Sequence, residues 1–480
     1  MRKLSRHNII SMNKIYRFRL VFLLVISGVL VLSCKISRPY QQPEIKTDSL
    51  YREHRSIDTA SLAAMPWQNL FTDTALKALI SEGLVHNLDL KIAIQKIYEA
   101  QATLGQTKNA LLPSLNGNAS VSHGRQSAAA LDYPPGTSIN TTTTLYQLSL
   151  NASWEADIWG KLSSTKRAAL ATLLQTDAAK RAIQTQLIAD IANNYYNLLA
   201  LDKELDITTK TLQNRMKDVE TMKVLKEADV VTGAAVVQSE ANRYAAEVAI
   251  PDIKRSIRET ENALDLLLGR APGPINRARL DDQQPNTLLL TGLPSQLLKN
   301  RPDVQQAEYT FKTAFENTNV AKAYFYPSFT ITSSGGFSNL TLKDFFINSI
   351  FYNIAAGLTQ PIFNQGINKA RLKTARAKQE EAMYQYQQTV LTAGAEVSNA
   401  LYAYQSAKDK DDARIKQIAA LVRSVDYTQQ LLRYSSATNY TDVLTSEQSL
   451  LSAQLNGVTD KLQQLQATVN LYRALGGGGR

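Results

Sequence analysis

The sequence predicts a membrane α+β chain: four β-strands that close only as a twelve-stranded barrel of three copies, and long α-helices joined along narrow seams. Three observations predict it. The stretch Tyr146 to Gly160, YQLSLNASWEADIWG, alternates apolar and polar residues without a break. No proline or glycine interrupts the 67 residues from Lys161 to Glu227. The order of strands and helices then recurs in the second half of the chain.

The N-terminus comes first. After Arg17-Phe18-Arg19, thirteen uncharged residues run from Leu20 to Leu32. That length is short for a bilayer span and suits the apolar segment of a signal peptide. It ends in Val31-Leu32-Ser33-Cys34, and Cys34 is the only cysteine. An ordinary secretory signal with an incidental cysteine is one reading. The other is a signal over residues 1–33 with acylation of Cys34, because the pattern resembles a bacterial lipobox. A lone lipidated cysteine leaves no thiol for disulfides or catalysis. The formal charge of +11 includes six basic residues before Cys34 and no acid there, so about +5 remains after cleavage. Acids intersperse the later basic residues, which excludes the clustered basic face of a nucleic-acid binder.

Residues 34–66 are polar and irregular, an acylated tether. Asp73 stands as the N-cap of a short helix, and a second helix spans about Leu88 to Leu112, stopped by Pro113. PSLNGNASVSHG is the first strand, and a polar loop with Pro134, Pro135 and Gly136 leads to the second. Continuous helix from Lys161 to Glu227 would measure ~100 Å. A break at ADVVTGAA precedes a helix to about Leu268. The second half begins with a helix from RPDVQQAE to Pro327, then the strands SFTITSSGGFS and FYNIAAGLTQPIF. A helix from Gly366 to about Ser435 and another to YRALGGGG complete it. Gly160 with Gly366, and Tyr196 with Tyr402, share a spacing of 206, so the reading is a duplication, residues 67–290 and 291–480.

The helices carry seams. Leu451, Leu455, Val458, Leu462, Leu465, Val469 and Tyr472 step by 4 and 3, and Ile191, Leu198, Leu205, Leu212 and Val219 step by seven. The strands need another environment. Side chains alternate faces along a strand, so Tyr146, Leu148, Leu150 and Trp154 share an apolar face. Four strands cannot close alone, and lipid tolerates no open edge, whereas four from each of three chains make twelve. The apolar face then meets outer-membrane lipid, Trp154 and Trp159 suit an interfacial girdle, and small polar residues line the lumen. Glu155 and Asp157 fall on the polar parity and read as lumen lining rather than an acid/base pair. On the same parity, Ser149 is expected to tolerate arginine.

Taken in order, WQNLFTDTALKALISEGLVHNLDLKIA, ALLPSL, ASWEADIWGKL, RPDVQQAE, YFYPSF, LTQPIFNQG and YTDVLTSEQSLLSAQL resemble the outer membrane efflux protein family. These are the TolC-like and OprM-like channels, here in their lipoprotein branch, over roughly residues 60 to 475. The resemblance implies a homotrimer in the bacterial outer membrane whose barrel continues as an α-helical tunnel across the periplasm. It implies an inner-membrane pump and a periplasmic adaptor as partners and solute efflux as the task. Independently, the four histidines, His7, His54, His86 and His123, are scattered, and no His/Cys metal spacing, G-x-S-x-G elbow or phosphate-binding glycine loop occurs, so no enzyme activity, cofactor or metal is expected. By similarity to the family pattern DVLDA, Asp442 matches the first acidic position of a gate at the tunnel's inner end, where the second aspartate is here Thr445. A helix-dipole role in the first turn is the other reading of Asp442. Tyr434, Arg433 and Asp229 are the candidate closing links, and Asp229 and Ala437 stand where family tips carry glycine. Two rival readings stay open, a channel for type I protein secretion and a non-conducting coiled-coil scaffold.

Overall fold

A computed structural model describes residues 36–45, 47, 50–52, 61–127, 140–284, 291–434 and 439–479. The signal segment, Cys34, most of the tether, Pro134 to Gly136 and Ala437 lie outside the described residues. The chain forms two compact units, one within Met1–Gln42, Ala100–Thr172 and Thr310–Ala382, the other within Pro43–Glu99, Leu173–Tyr309 and Met383–Arg480. Each draws on both halves of the sequence.

The first unit holds one antiparallel sheet of β1 (Ser114–Arg125), β2 (Thr142–Ala156), β3 (Ser328–Asn339) and β4 (Ile350–Thr359), in chain order. The register carries the parity of β2 across all four strands. Leu115, Ala119 and Val121 stand beside Ala152, Leu148 and Tyr146; Leu148 and Trp154 stand beside Phe337 and Ile331. Phe337 and Phe329 stand in turn beside Ile350 and Leu358. On the other face Asn118, Ser149 and Asn116, Asn151 pair across β1 and β2, and Ser153 pairs with Thr332. Strand β4 stops at Thr359, earlier than its apolar run predicts, because Pro361 lacks the N–H a ladder needs.

Ser149 departs from expectation. It is 4% exposed, because Gly336 brings β3 so close that a Cβ there would overlap the backbone of Leu148 and Ser149. An arginine at Ser149 has no room, and Ser153, exposed on the same face, is the open position.

The exit from β2 corrects a second expectation. The strand ends at Ala156, so parity no longer governs Asp157. Its two carboxylate oxygens accept the N–H groups of Leu162 and Ser163, both at 2.8 Å, and cap the next helix. Glu155 pairs with Lys161 Nζ at 2.6 Å. Asp157 is therefore a helix cap rather than strand lining, while Glu155 keeps its place on the polar parity of β2. Gly160 and Gly366 take φ of +73° and +82° just before the two longest helices, the left-handed conformation only glycine adopts freely.

Apart from single turns such as Trp67–Leu70 and Leu297–Asn300, the helices of the described residues are α1 (Thr74–His86), α2 (Leu88–Asn109), α3 (Lys161–Glu227), α4 (Gly233–Leu268), α5 (Pro302–Ala323), α6 (Ile367–Tyr434) and α7 (Tyr440–Ala474). Helix α3 has the predicted bounds, whereas α2 ends at Asn109 rather than Leu112, its last carbonyls closed by turn bonds from Leu111 and Leu112 before Pro113. Among the described residues no helix is long and apolar enough to cross a membrane.

The core lies in the second unit. Ile191, Leu198, Val458, Leu465, Val469 and Tyr472, all seam positions, are buried in one cluster. Tyr196 is buried and its repeat counterpart Tyr402 is exposed, so matched sequence positions meet different surroundings. Asp73 caps α1 as its position predicts: Oδ1 accepts from Ala75 N at 2.8 Å and Leu76 N at 3.3 Å. Its Oδ2 accepts from the Tyr195 hydroxyl at 2.6 Å and the Gln283 amide at 2.8 Å. Burial raises the Tyr195 phenol well above its ordinary value, so it stays a donor to Asp73. Arg301 of the RPD motif is 5% exposed in its side chain. Its guanidinium binds Asp303 at 2.9 and 2.6 Å, Glu396 at 2.8 Å and the Ala474 carbonyl at 2.9 Å, joining the start of α5 to α6 and the end of α7.

Asp73→Ala removes the cap and strands a buried phenol and amide. The expected loss is about 1–3 kcal/mol of stability, read as a lower thermal midpoint. An unchanged midpoint would mean that Asp73 is not a structural node.

Candidate functional site

The residues expected to form a gate lie at the helix turns of the second unit. Helix α3 ends at Glu227, and Asp229 turns the chain with φ of +55° before α4 begins at Gly233. Aspartate tolerates this left-handed conformation better than most residues, and it stands where the resemblance expects glycine. On the other hairpin Asn439 caps α7. Its side chain accepts the Asp442 N–H at 3.1 Å, and Asp442 Oδ2 accepts the Asn439 N–H at 3.3 Å. This reciprocal capping box is the first-turn role weighed for Asp442, and it fixes where the carboxylate sits.

Between the hairpins Met222, Val236, Tyr440 and Val443 form a small apolar cluster, packed by Leu225, Val231, Leu432 and Leu444. The predicted gate residues surround it without entering it. Asp442, Thr445, Asp229, Arg433 and Tyr434 are all exposed, Tyr434 by 84%. Thr445 donates its hydroxyl to the Thr441 carbonyl at 2.8 Å. Among the described residues no ion pair within the protomer joins Asp229 to Arg433. A groove of about 1400 Å³ runs beside the cluster, lined by Lys226, Asp229, Gln238, Tyr440, Thr441 and Thr445.

A polar layer that the sequence reading missed lies next to this cluster. Arg215, 7% exposed, donates to the Asn242 carbonyl at 2.5 Å and to Gln448 Oε1 at 2.9 Å. Gln429 donates to Glu447 Oε1 at 2.9 Å. A signal for it was present. Arg215 lies three residues after Leu212 and four before Val219, and Gln448 three before Leu451, so both occupy seam positions where an apolar residue is expected. Burial raises the Tyr440 phenol above its usual value.

The second candidate surface is the apolar face of the sheet. Leu148 and Leu150 project from it with 43% and 59% exposure, while Tyr146 is half-buried. Trp154 is half-buried and its indole donates to the Leu111 carbonyl at 3.0 Å. Trp159 donates to the Pro327 carbonyl at 2.6 Å and lies on Tyr326, 5.0 Å between ring centroids. Each ring keeps an apolar body and satisfies its one donor, as an interfacial residue must. Among the described residues no group of three or more His, Cys, Asp or Glu side chains is placed to hold a metal ion.

Comparison with known proteins agrees in both halves of the chain. The sequence profile of the outer membrane efflux protein family matches residues 79–270 and 293–477. The chain is 30% identical over 456 residues to the cation efflux system protein CusC of Escherichia coli K12, covering 93% of this chain and 96% of that protein. It is 28% identical over 467 residues to the probable outer membrane lipoprotein SilC of Salmonella typhimurium, covering 95% and 98%. Among solved structures, the open-state MtrE outer membrane channel of Neisseria gonorrhoeae superposes with a TM-score of 0.82 at 28% identity, covering 93% and 98%.

In a bilayer the two faces of β2 should respond differently to charge. Leu150→Arg is expected to lose roughly 2–4 kcal/mol if it lies near mid-depth. Ser153→Arg should leave the yield of folded, heat-resistant protein close to that of the parent. Equal losses at the two positions would reverse the assignment of faces.

Proposed function

The chain belongs to the outer membrane efflux protein family, and on that premise we propose that three copies join their sheets into one barrel through which solutes leave the cell. The observation that carries this reading is the sheet itself. It has one continuous apolar face and two edges, β1 and β4, that are open in the single chain. A scaffold in water would leave that face wet, whereas a closed trimer in the outer membrane buries face and edges together. The names of the relatives speak for efflux of solutes rather than secretion of proteins. Tyr146, Leu148, Leu150 and Trp154 then face lipid, and the halves 67–290 and 291–480 supply two strands each.

The helical tips, with a periplasmic adaptor docked in the groove beside Asp229 and Thr441, form the inner entrance. An inner-membrane pump supplies the energy, and the channel conducts passively. Threefold symmetry brings three Asp442 carboxylates together at that entrance, a ring that favours cations over anions. Thr445 stands uncharged where the family pattern has its second aspartate, so the ring is single, and Tyr434, Arg433 and Asp229 link neighbouring hairpins when the tips close. Cys34 carries the lipid that tethers the chain, a reading supported by the lipoprotein name of the Salmonella relative.

Single-channel recording in planar bilayers tests the channel and its gate. Asp442→Asn removes the charge with little change in size. It should shift the reversal potential under a salt gradient towards zero and weaken block by multivalent cations. A parent protein without conductance would end the channel reading, and an unchanged reversal potential would exclude Asp442 from the constriction. For the anchor, Cys34→Ala should abolish incorporation of labelled fatty acid while trimers still assemble. Persistent labelling would refute the lipobox.

A further inference from the structure

We infer that Asp218 of α3 and Glu447 of α7 hold one proton between them and form a proton-operated latch in the polar layer next to the helical tips. The 2.9 Å hydrogen bond from Arg215 to Gln448 joins α3 to α7 one turn before Asp218 and directly beside Glu447, and this contact brings the two carboxyl groups together as hydrogen-bonding neighbours. Asp218 Oδ2 is buried with no donor among the described residues. Glu447 has the Gln429 amide on Oε1 at 2.9 Å. Two carboxylates so placed repel each other and have lost most of their water, but a carboxylic acid donating to a carboxylate satisfies both.

The surrounding groups do not neutralise the pair. On α3 the nearest cation is Arg215, whose terminal nitrogens are committed to Asn242 and Gln448, while its buried Nε meets no partner. On α4 the facing groups are neutral, the Asn242 carbonyl and Ser239, which bonds Tyr440. Helix α6 brings the neutral Gln429 and, near its end, Arg433, which acts on Asp218 only through its field. On α7 Tyr440 keeps its proton, since burial raises its phenol. Burial first, and then the charge of Glu447, push Asp218 up to about 7 against the opposing pull of Arg215 and Arg433. Burial raises Glu447 as well. Among the described residues α3, α4, α6 and α7 carry no histidine.

The sign follows from linkage. An acid whose folded value is raised binds its proton more tightly in the packed state than in the opened one. The stabilisation is complete below the ordinary carboxylate range and is lost as pH climbs through about 7. Acid therefore fastens α3 to α7, and mild alkali loosens them. The latch acts within one protomer and holds whatever the channel conducts.

Hydrogen–deuterium exchange of the intact trimer in nanodiscs tests it, with rates corrected for intrinsic pH dependence. Tip segments 215–233 and 440–450 of the parent should lose about tenfold in protection between pH 6 and pH 8, the ratio that linkage gives for a group titrating near 7. Core segment 187–200 should not change. Asp218→Asn and Glu447→Gln each retain a donor for the remaining carboxylate. Each should therefore keep the tips protected and abolish the pH dependence, and where one variant fails to fold, the other and the parent decide. Flat parental protection between these pH values, or a folded variant with the parental dependence, would overturn the latch.

Discussion

In hydrocarbon each unsatisfied backbone N–H or C=O costs several kcal/mol, so a sheet with an apolar face in lipid cannot keep an open edge. Strands β1 and β4 present such edges, and the most exposed large apolar side chains of the sheet, Tyr352, Ile350 and Ile354, lie on β4 itself. The register is fixed by the same constraint, since a one-residue slip would turn Leu148 and Leu150 to the polar face. Gly336 shows how tightly the strands are drawn together, with Ser149 buried beneath it.

The helices answer a different demand. Their surfaces are rich in alanine, glutamine and charge, and each contributes only a narrow apolar stripe. Burial is concentrated where several stripes converge, around Ile191, Tyr195, Leu198 and Tyr472. There two polar groups tie the helix ends together: Asp73 uses both oxygens, and Arg301 reaches two acids and a helix-terminal carbonyl. Buried charges of this kind do little for net stability, but removing one partner leaves the other stranded, which fixes a single arrangement of helix ends.

Near the tips the same seam changes character. Arg215 and Gln448 occupy positions that are apolar elsewhere and meet each other, with Asp218 and Glu447 alongside. A polar layer in a seam sets register at the cost of stability. The end of the helical unit is thus the part best able to open, because its apolar cluster is small while the main core is extensive.

Much of this was legible in the residues themselves. Period-two alternation marked β2 and its faces, the uninterrupted run marked α3 to the residue, Asp73 declared a cap, and glycines 160 and 366 marked two helix starts. Each is a local signal, set by backbone geometry within a few residues. Contacts between distant segments decided the rest. Asp157 changed from strand lining to helix cap because the ladder ended one residue earlier, and Ser149 became buried because Gly336 came from a strand almost two hundred positions away. Tyr196 and Tyr402 match in sequence, yet one is enclosed and the other bare. The pairing of Asp218 with Glu447 joins two helices far apart in the chain, and no spacing rule reaches that distance. Burial and charge repulsion depend on what arrives from elsewhere, which only the tertiary structure determines.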